Sequence, residues 1–228
     1  MENIPKHIGI ILDGNRRFAK RLLLEPWKGH EYGAEKVEKL LDYMKEIGIK
    51  EFTLYCMSVE NINHRPKNEL DYLFKIFRKE FREMNREKLM ANGIKIRFIG
   101  NLNLLPADLK EQCLKLEKET EMNHDYIVNF ALAYGGRQEI IEAVRKIVLK
   151  KLKPEEINEE VFGKNLWLES EPELVIRTGG EKRTSNFLPW QAAYSELLFL
   201  DKFWPEFDKE DLIMAIEEFQ RRKRNFGK

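Results

Sequence analysis

Six short apolar runs constrain this chain more than any other feature. Residues 8–12, 52–57, 94–99, 126–133, 174–176 and 197–200 are each too short for a buried helix, and most are rich in β-branched and aromatic side chains, the types that pack on a pleated surface. The intervening segments carry apolar residues at helical spacing. Val37, Leu40, Leu41 and Met44 share one face of 33–47; Leu70, Leu73, Phe74, Phe77, Phe81 and Met84 share one face of a long helix predicted over 68–90. Further helices are predicted over 106–122, 138–150, 155–166 and 209–224. Strands alternating with helices predict an α/β fold whose six-stranded, mostly parallel sheet is covered on both faces. There is no repeat, linker or low-complexity tract in the 228 residues, so a single domain over 1–228 is expected.

The first run, Ile8-Gly9-Ile10-Ile11-Leu12, stops abruptly at Asp13-Gly14-Asn15-Arg16-Arg17. Asp-Gly is a favoured hairpin turn, but a helix-like segment follows, with no second strand to pair back. In open parallel sheets ligands sit beyond the carboxyl ends of the strands. A carboxylate there suits a hard cation such as Mg²⁺, and guanidiniums suit phosphate oxygens. Other runs also end in polar clusters: Ser58-Val59-Glu60-Asn61-Ile62-Asn63-His64-Arg65, Tyr134-Gly135-Gly136-Arg137 and Arg177-Thr178-Gly179-Gly180-Glu181-Lys182-Arg183-Thr184-Ser185-Asn186. Each alone reads as a turn or a helix cap. Converging on one sheet edge they read as a site, with glycine amides and arginines for an oxyanion and the 58–65 segment able to orient a substrate and pass a proton.

Composition narrows the ligand. Forty basic residues against 39 acidic give a net charge of +1, which argues against nucleic acid as a partner and makes any anion site local. Two isolated cysteines, with no CxxC or HExxH, exclude a disulfide framework and a zinc motif. With no signal-peptide pattern and no membrane-length apolar window, a cytosolic protein is expected. Three phenylalanines on the long helix and the run Leu22-Leu23-Leu24 supply apolar wall beside the phosphate-type loops. Diphosphate plus an elongated apolar wall implies an isoprenoid-type ligand.

The residues Asp13-Gly14-Asn15-Arg16-Arg17-Phe18-Ala19, Gly29-His30, Ser58-x-Glu60-Asn61, Tyr134-Gly135-Gly136-Arg137, Arg177-Thr178-Gly179-Gly180-Glu181-x-Arg183-x-Ser185-Asn186-Phe187 and Tyr194-x-Glu196-Leu197 resemble, in order, the motifs of the cis-prenyltransferases, the undecaprenyl diphosphate synthase family. The likeness runs from Ile4 to Phe226-Gly227. It implies a homodimer with a hydrophobic tunnel beside the sheet. It also implies Mg²⁺-dependent addition of isopentenyl diphosphate to an allylic diphosphate, giving a long polyprenyl diphosphate, the precursor of a glycosyl carrier lipid. The resemblance implies that Asp13 holds Mg²⁺ with Glu196, that Gly14, Asn15, Arg16 and Arg17 cradle the allylic diphosphate, and that Arg177, Arg183, Thr184 and Ser185 bind isopentenyl diphosphate. Asn61, with His30 nearby, would assist proton removal, and Phe18, Ser58, Val59, Glu60 and Arg65 would complete substrate binding.

The chain departs from the family pattern at Phe18, Pro26 and Ile62, where Trp, Arg and an aromatic residue are common, and it spaces Asn61 and Arg65 one residue further apart. These departures resemble archaeal members, for which the resemblance implies a geranylgeranyl diphosphate starter, with farnesyl diphosphate the alternative. An Asp-nucleophile phosphohydrolase would need a second Asp two positions from Asp13, where Ile11 and Asn15 stand. A non-catalytic subunit of the same fold would lack Asp13 and the arginine pair. The apolar product leads us to expect peripheral membrane contact, with residues 22–24 near the point where lipid enters or leaves.

Overall fold

A computed structural model describes residues 3–222. Its six strands, β1 (His7–Ile11), β2 (Glu51–Tyr55), β3 (Ile94–Ile99), β4 (Tyr126–Ala131), β5 (Leu174–Arg177) and β6 (Glu196–Phe199), form one sheet in the order β3-β4-β2-β1-β5-β6. Every pairing is parallel, so the expected mostly parallel sheet is wholly so. All five residues of β1 are buried, as expected of a strand covered on both faces.

The register brings the polar clusters to one edge. Ile11, Tyr55, Ala131, Ile99, Arg177 and Phe199 lie side by side across the sheet, so Asp13, Ser58, Tyr134 and Thr178 all follow within three residues of the same line. Ser58 and Tyr134 extend it with a further parallel bridge. From β1 the chain turns to β2 on one side, whereas β5 lies on the other side of β1 and leads outward to β6. The crevice beyond β1 and β5 is therefore the switch point, the place where such sheets build ligand sites.

The two faces are unequal. On one, the strands pack beneath helices α2 (Gly29–Ile47), α4 (Lys67–Glu83), α5 (Arg86–Ala91), α6 (Ala107–Glu119) and α9 (Lys209–Arg221) in a large core that includes Leu40, Phe52, Phe81, Leu116 and Phe219. The other face has a smaller core around Tyr55, Tyr134, Val175 and Phe187, flanked by α7 (Gly136–Leu149) and α8 (Glu159–Gly163). Within the large core a cavity of about 890 Å³ runs between α2, α4 and the sheet.

Local chemistry corrects three expectations. The long helix predicted over 68–90 breaks at Met84 and Asn85, because the Asn85 side chain accepts from Lys88 N (2.9 Å) and caps α5. Residues 58–65 form a short helix, α3 (Val59–His64), closed by a Ser58–Asn61 capping box. The helix predicted over 155–166 reduces to a 3₁₀ turn and α8. Of the last predicted helix, 209–224, and the motif reaching Phe226-Gly227, the part beyond 222 lies outside the described residues. Asn85→Ala should lower stability by about 1 kcal/mol, measured as a lower urea midpoint with an unchanged slope.

Candidate active site

The short helix α1 (Asn15–Arg21) follows β1 directly, and the turn between them needs Gly14. Its φ is +103°, and a Cβ there would lie 2.7 Å from the Phe203 ring, so other residues are both strained and obstructed. The turn exposes Asp13 to two cations: Oδ2 accepts from Arg177 Nη2 at 2.8 Å, and Oδ1 lies 3.3 Å from Arg17 Nη2. Thr178 locks the backbone beneath. Its Oγ1 accepts from Asp13 N (3.1 Å) and donates to Asp13 O (2.7 Å).

Arg177 ends β5 and is 5% exposed. Besides Asp13 it holds the loop that follows β5, donating from Nη1 to Arg183 O (2.5 Å) and Ser185 Oγ (2.8 Å). Arg183 itself is exposed, and its guanidinium rests on Glu181 (2.6 Å). The same Glu181 lies 3.7 Å from Arg17, so one carboxylate links the arginines of two loops.

The third group comes from α3. Arg65 donates to Glu69 Oε1 (3.1 Å), to His30 Nε2 (3.2 Å) and to Asn61 Oδ1 (3.4 Å). The extra residue between Asn61 and Arg65 is thus absorbed by one helical turn, which delivers Arg65 into the site. Glu69, four residues on, is 3% exposed and is the buried counter-ion that the Arg65-x-x-x-Glu69 spacing signals; sequence reasoning passed over it, as it did Thr178. Burial, followed by the Arg65 and Arg16 charges, lowers the His30 pKa to about 3. His30 is therefore neutral, accepts from Arg65 and is a poor base. Cys56, in the cavity wall, has its thiol pushed up to about 12 by burial, which makes it a poor nucleophile.

Two adjoining cavities share Asp13, Asn15, His30 and Arg65. The larger opens at Asn61, Arg177, Arg183 and Ser185 and continues between apolar walls that include Leu41, Leu73, Phe77 and Phe130. The smaller, about 350 Å³, is lined by Gly14, Arg16, Arg17 and Lys20. Six cations thus surround the mouth of an apolar chamber in a chain whose net charge is only +1.

Other expected site residues lie elsewhere. Phe18 sits edge-on to Tyr32, with centroids 5.4 Å apart. Buried Val59 donates its N–H to Tyr134 O (2.9 Å), and exposed Glu60 accepts from Asn186 (3.0 Å); both tie loops together and neither lines either of these two cavities. The Thr184 carbonyl accepts from Phe187 N (3.1 Å). Ser58 does line the larger cavity, although its hydroxyl caps α3.

Within one chain the structure does not bring Glu196 to Asp13. Glu196 opens β6 beside Leu174, three residues and about 10 Å from the Arg177–Phe199 level, and it is paired with Arg222 at 2.9 Å. Among the described residues no group of three or more His, Cys, Asp or Glu is placed to hold a metal. The donors fit Mg²⁺ nonetheless, because that ion takes one or two carboxylates and completes its shell with substrate phosphate and water.

A guanidinium-rich mouth feeding an apolar chamber at the switch point of a parallel sheet defines an enzyme that handles prenyl diphosphates. The sequence profile described as putative undecaprenyl diphosphate synthase matches residues 11–227. The chain is 48% identical to the tritrans,polycis-undecaprenyl-diphosphate synthase (geranylgeranyl-diphosphate specific) of Methanopyrus kandleri, over 99% of this chain and 85% of that one. It is 44% identical to the protein of the same name from Pyrococcus horikoshii, over 99% and 88%. Its fold superposes on lavandulyl diphosphate synthase from Lavandula x intermedia, in complex with dimethylallyl diphosphate, with a TM-score of 0.95 at 33% identity. A probable undecaprenyl diphosphate synthase from Campylobacter jejuni gives 0.84 at 34%; both comparisons cover the whole of each chain. The chain belongs to the undecaprenyl diphosphate synthase family and is a prenyltransferase.

The depressed pKa of His30 carries a stability signature. An unfolded histidine takes up a proton near pH 6.5 and the folded one only near 3, so stability is lost as pH falls below 6.5. His30→Gln should lose about 1–2 kcal/mol less than the parent between pH 7 and pH 5, read from urea unfolding at both pH values.

Proposed function

We propose that the chain elongates geranylgeranyl diphosphate by sequential cis addition of isopentenyl diphosphate, giving a long polyprenyl diphosphate that serves as a glycosyl carrier lipid precursor. The observation that carries this is the continuity of one cavity from the Asp13–Arg177–Arg183 mouth into the apolar space between α2 and α4. The archaeal relatives named as geranylgeranyl-diphosphate specific favour that starter over farnesyl diphosphate.

In this reading the allylic diphosphate occupies the smaller, Arg16- and Arg17-lined cavity, and isopentenyl diphosphate lies against Arg183 and Ser185. Asp13, between them, would hold Mg²⁺, which when bound neutralises charge on the departing diphosphate. Heterolysis of the allylic C–O bond leaves a cation that the isopentenyl double bond attacks. Fixed guanidiniums stabilise the separating charge without having to reorganise, and the apolar walls exclude water from the cation. Asn61 is an amide and His30 a weak base, so their part is to orient; the proton passes to a diphosphate oxygen, the strongest base in reach. A homodimer is supported by the exposed apolar stripe Ile141, Val144 and Val148 of α7. Glu196, at the far end of β6, would reach a metal only in a second copy. The apolar product calls for a lipid surface to receive it, although no helix among the described residues is long and apolar enough to cross a membrane.

Product analysis with labelled isopentenyl diphosphate and each starter in turn tests the reading. Long polyprenyl products should form from geranylgeranyl diphosphate, and excess EDTA should abolish them; turnover that survives EDTA excludes the metal role. Asp13→Ala should cut turnover by several orders of magnitude, measured well below its melting point, because it removes charge stabilisation specific to the transition state; its melting temperature should also fall, because the buried Arg177 guanidinium loses its carboxylate. Arg183→Ala should raise the Michaelis constant for isopentenyl diphosphate about 30- to 1000-fold, the equivalent of about 2–4 kcal/mol. A rise confined to the allylic substrate would reverse the assignment of the two diphosphates.

A further inference from the structure

The end of α1 contains a side chain that folding alone does not favour. Leu24 N donates to Ala19 O (2.9 Å) and Leu23 N to Lys20 O (3.0 Å), the paired bonds of a Schellman cap, which places Leu23 in the left-handed position at φ +59°. Glycine normally fills that position, and asparagine sometimes does, because a Cβ is strained there. The same chain uses glycine to end α2, where Gly48 has φ +90° and Ile49 N returns to Met44 O. Leu188 also has positive φ, but it is fully buried, and core packing offsets its strain; Lys151, just after α7, has φ +54° and is exposed, but its side chain is charged and at home in water. Leu23 has no such offset. It is 95% exposed, and Leu22 beside it is 46% exposed.

The surroundings are basic. α1 presents Arg16, Arg17, Lys20 and Arg21 and no acid. Arg21 is engaged by Glu206 at 2.5 Å, and Glu25 is the one acid in the connection to α2. Lys20 and Lys28 are exposed and ion-paired with no acid among the described residues. An apolar tip flanked by free lysines matches the interface of an anionic bilayer, where leucine enters the acyl boundary and lysine meets headgroup phosphate. Lys20 also lines the smaller cavity, so docking by this tip would set the mouth of the site against the lipid surface.

We infer that Leu22 and Leu23, with Lys20 and Lys28, form a wedge that docks the enzyme on an anionic membrane. The inference rests on the proposed function for its purpose, but vesicle binding is measured without turnover and tests it separately.

The test floats the full chain with vesicles of phosphatidylcholine, with and without phosphatidylglycerol, and compares it with Leu23→Gly and the double variant Leu22→Ser/Leu23→Gly. The parent should bind, more strongly when phosphatidylglycerol is present. Each leucine removed should weaken binding about tenfold or more. Leu23→Gly should melt at the same temperature or higher, because it relieves the cap, and condensation of short-chain substrates in buffer should be unchanged. Vesicle binding by a chain that condenses nothing would leave the wedge standing and remove the proposed function. Elongation without vesicle binding, or equal binding by parent and Leu23→Gly, would overturn the wedge. So would a self-associated species that only the parent forms in the absence of lipid, since Leu23 would then face a second copy.

Discussion

The contact between Arg177 and Asp13 is the one on which the rest of the site depends. A guanidinium that is 5% exposed carries a large desolvation cost unless it is paired and fully hydrogen-bonded. Here the partners are a carboxylate from the end of β1 and the carbonyl and hydroxyl of the next loop, at Arg183 and Ser185. One side chain thus orients the acid and shapes the loop bearing Arg183. Removing the carboxylate would strand the buried guanidinium, so the order of this edge is coupled to its electrostatics. Thr178 adds two bonds to the Asp13 backbone, which keeps the acid at a fixed height above the sheet.

The unequal faces explain how a polar site and an apolar chamber coexist. The smaller face packs Tyr55 against Tyr134 and Phe187. It is braced by buried Glu139, whose carboxyl pKa is raised by burial and which accepts from Tyr134, Trp167 N, Leu168 N and Gln191. That rigid side anchors the 183–187 loop through Gly136 N and Asn186 O (2.8 Å). The larger face has enough helices to leave a void between α2 and α4 without losing its core. Rigidity on one side of the sheet and space on the other is what a site needs when one end of its ligand is held firmly and the other end grows.

Much of this was legible in the sequence because it follows from periodicity and from strand ends. Runs of three to eight largely apolar residues mark strands wherever they fall, and in a parallel sheet their polar sequels must gather at one edge. What was not legible depends on which local bond wins. Helical periodicity continues through Met84, and only the Asn85 cap reveals the break. Motif spacing places Val59 and Glu60 beside Asn61, yet helical geometry turns them toward Tyr134 and Asn186 and away from the cavity. Glu196 follows Tyr194 in a motif otherwise tied to the site, but it stands at the start of its strand, whereas Asp13 stands beyond the end of its own. Sequence order carries no information about which end of a strand a residue occupies until the register is known.

The cluster of cations poses a final problem of energetics. Arg16, Arg17, Lys20, Arg65, Arg177 and Arg183 around one mouth would repel one another and oppose folding. In the unliganded chain most of them are held by carboxylates: Arg177 and Arg17 by Asp13, Arg65 and Arg16 by Glu69, and Arg17 and Arg183 by Glu181. In the proposed reading a diphosphate would therefore exchange partners with these acids and would not meet bare charges. Its net binding gain is the difference between two sets of ion pairs. That difference is larger at Arg183, which is exposed and held by one partly exposed acid, than at Arg177, which is buried and bonded through both terminal nitrogens to Asp13 and the following loop. In the proposed cycle the exposed arginine would take and release a substrate at every addition, while the buried one would hold the frame in which that exchange is repeated.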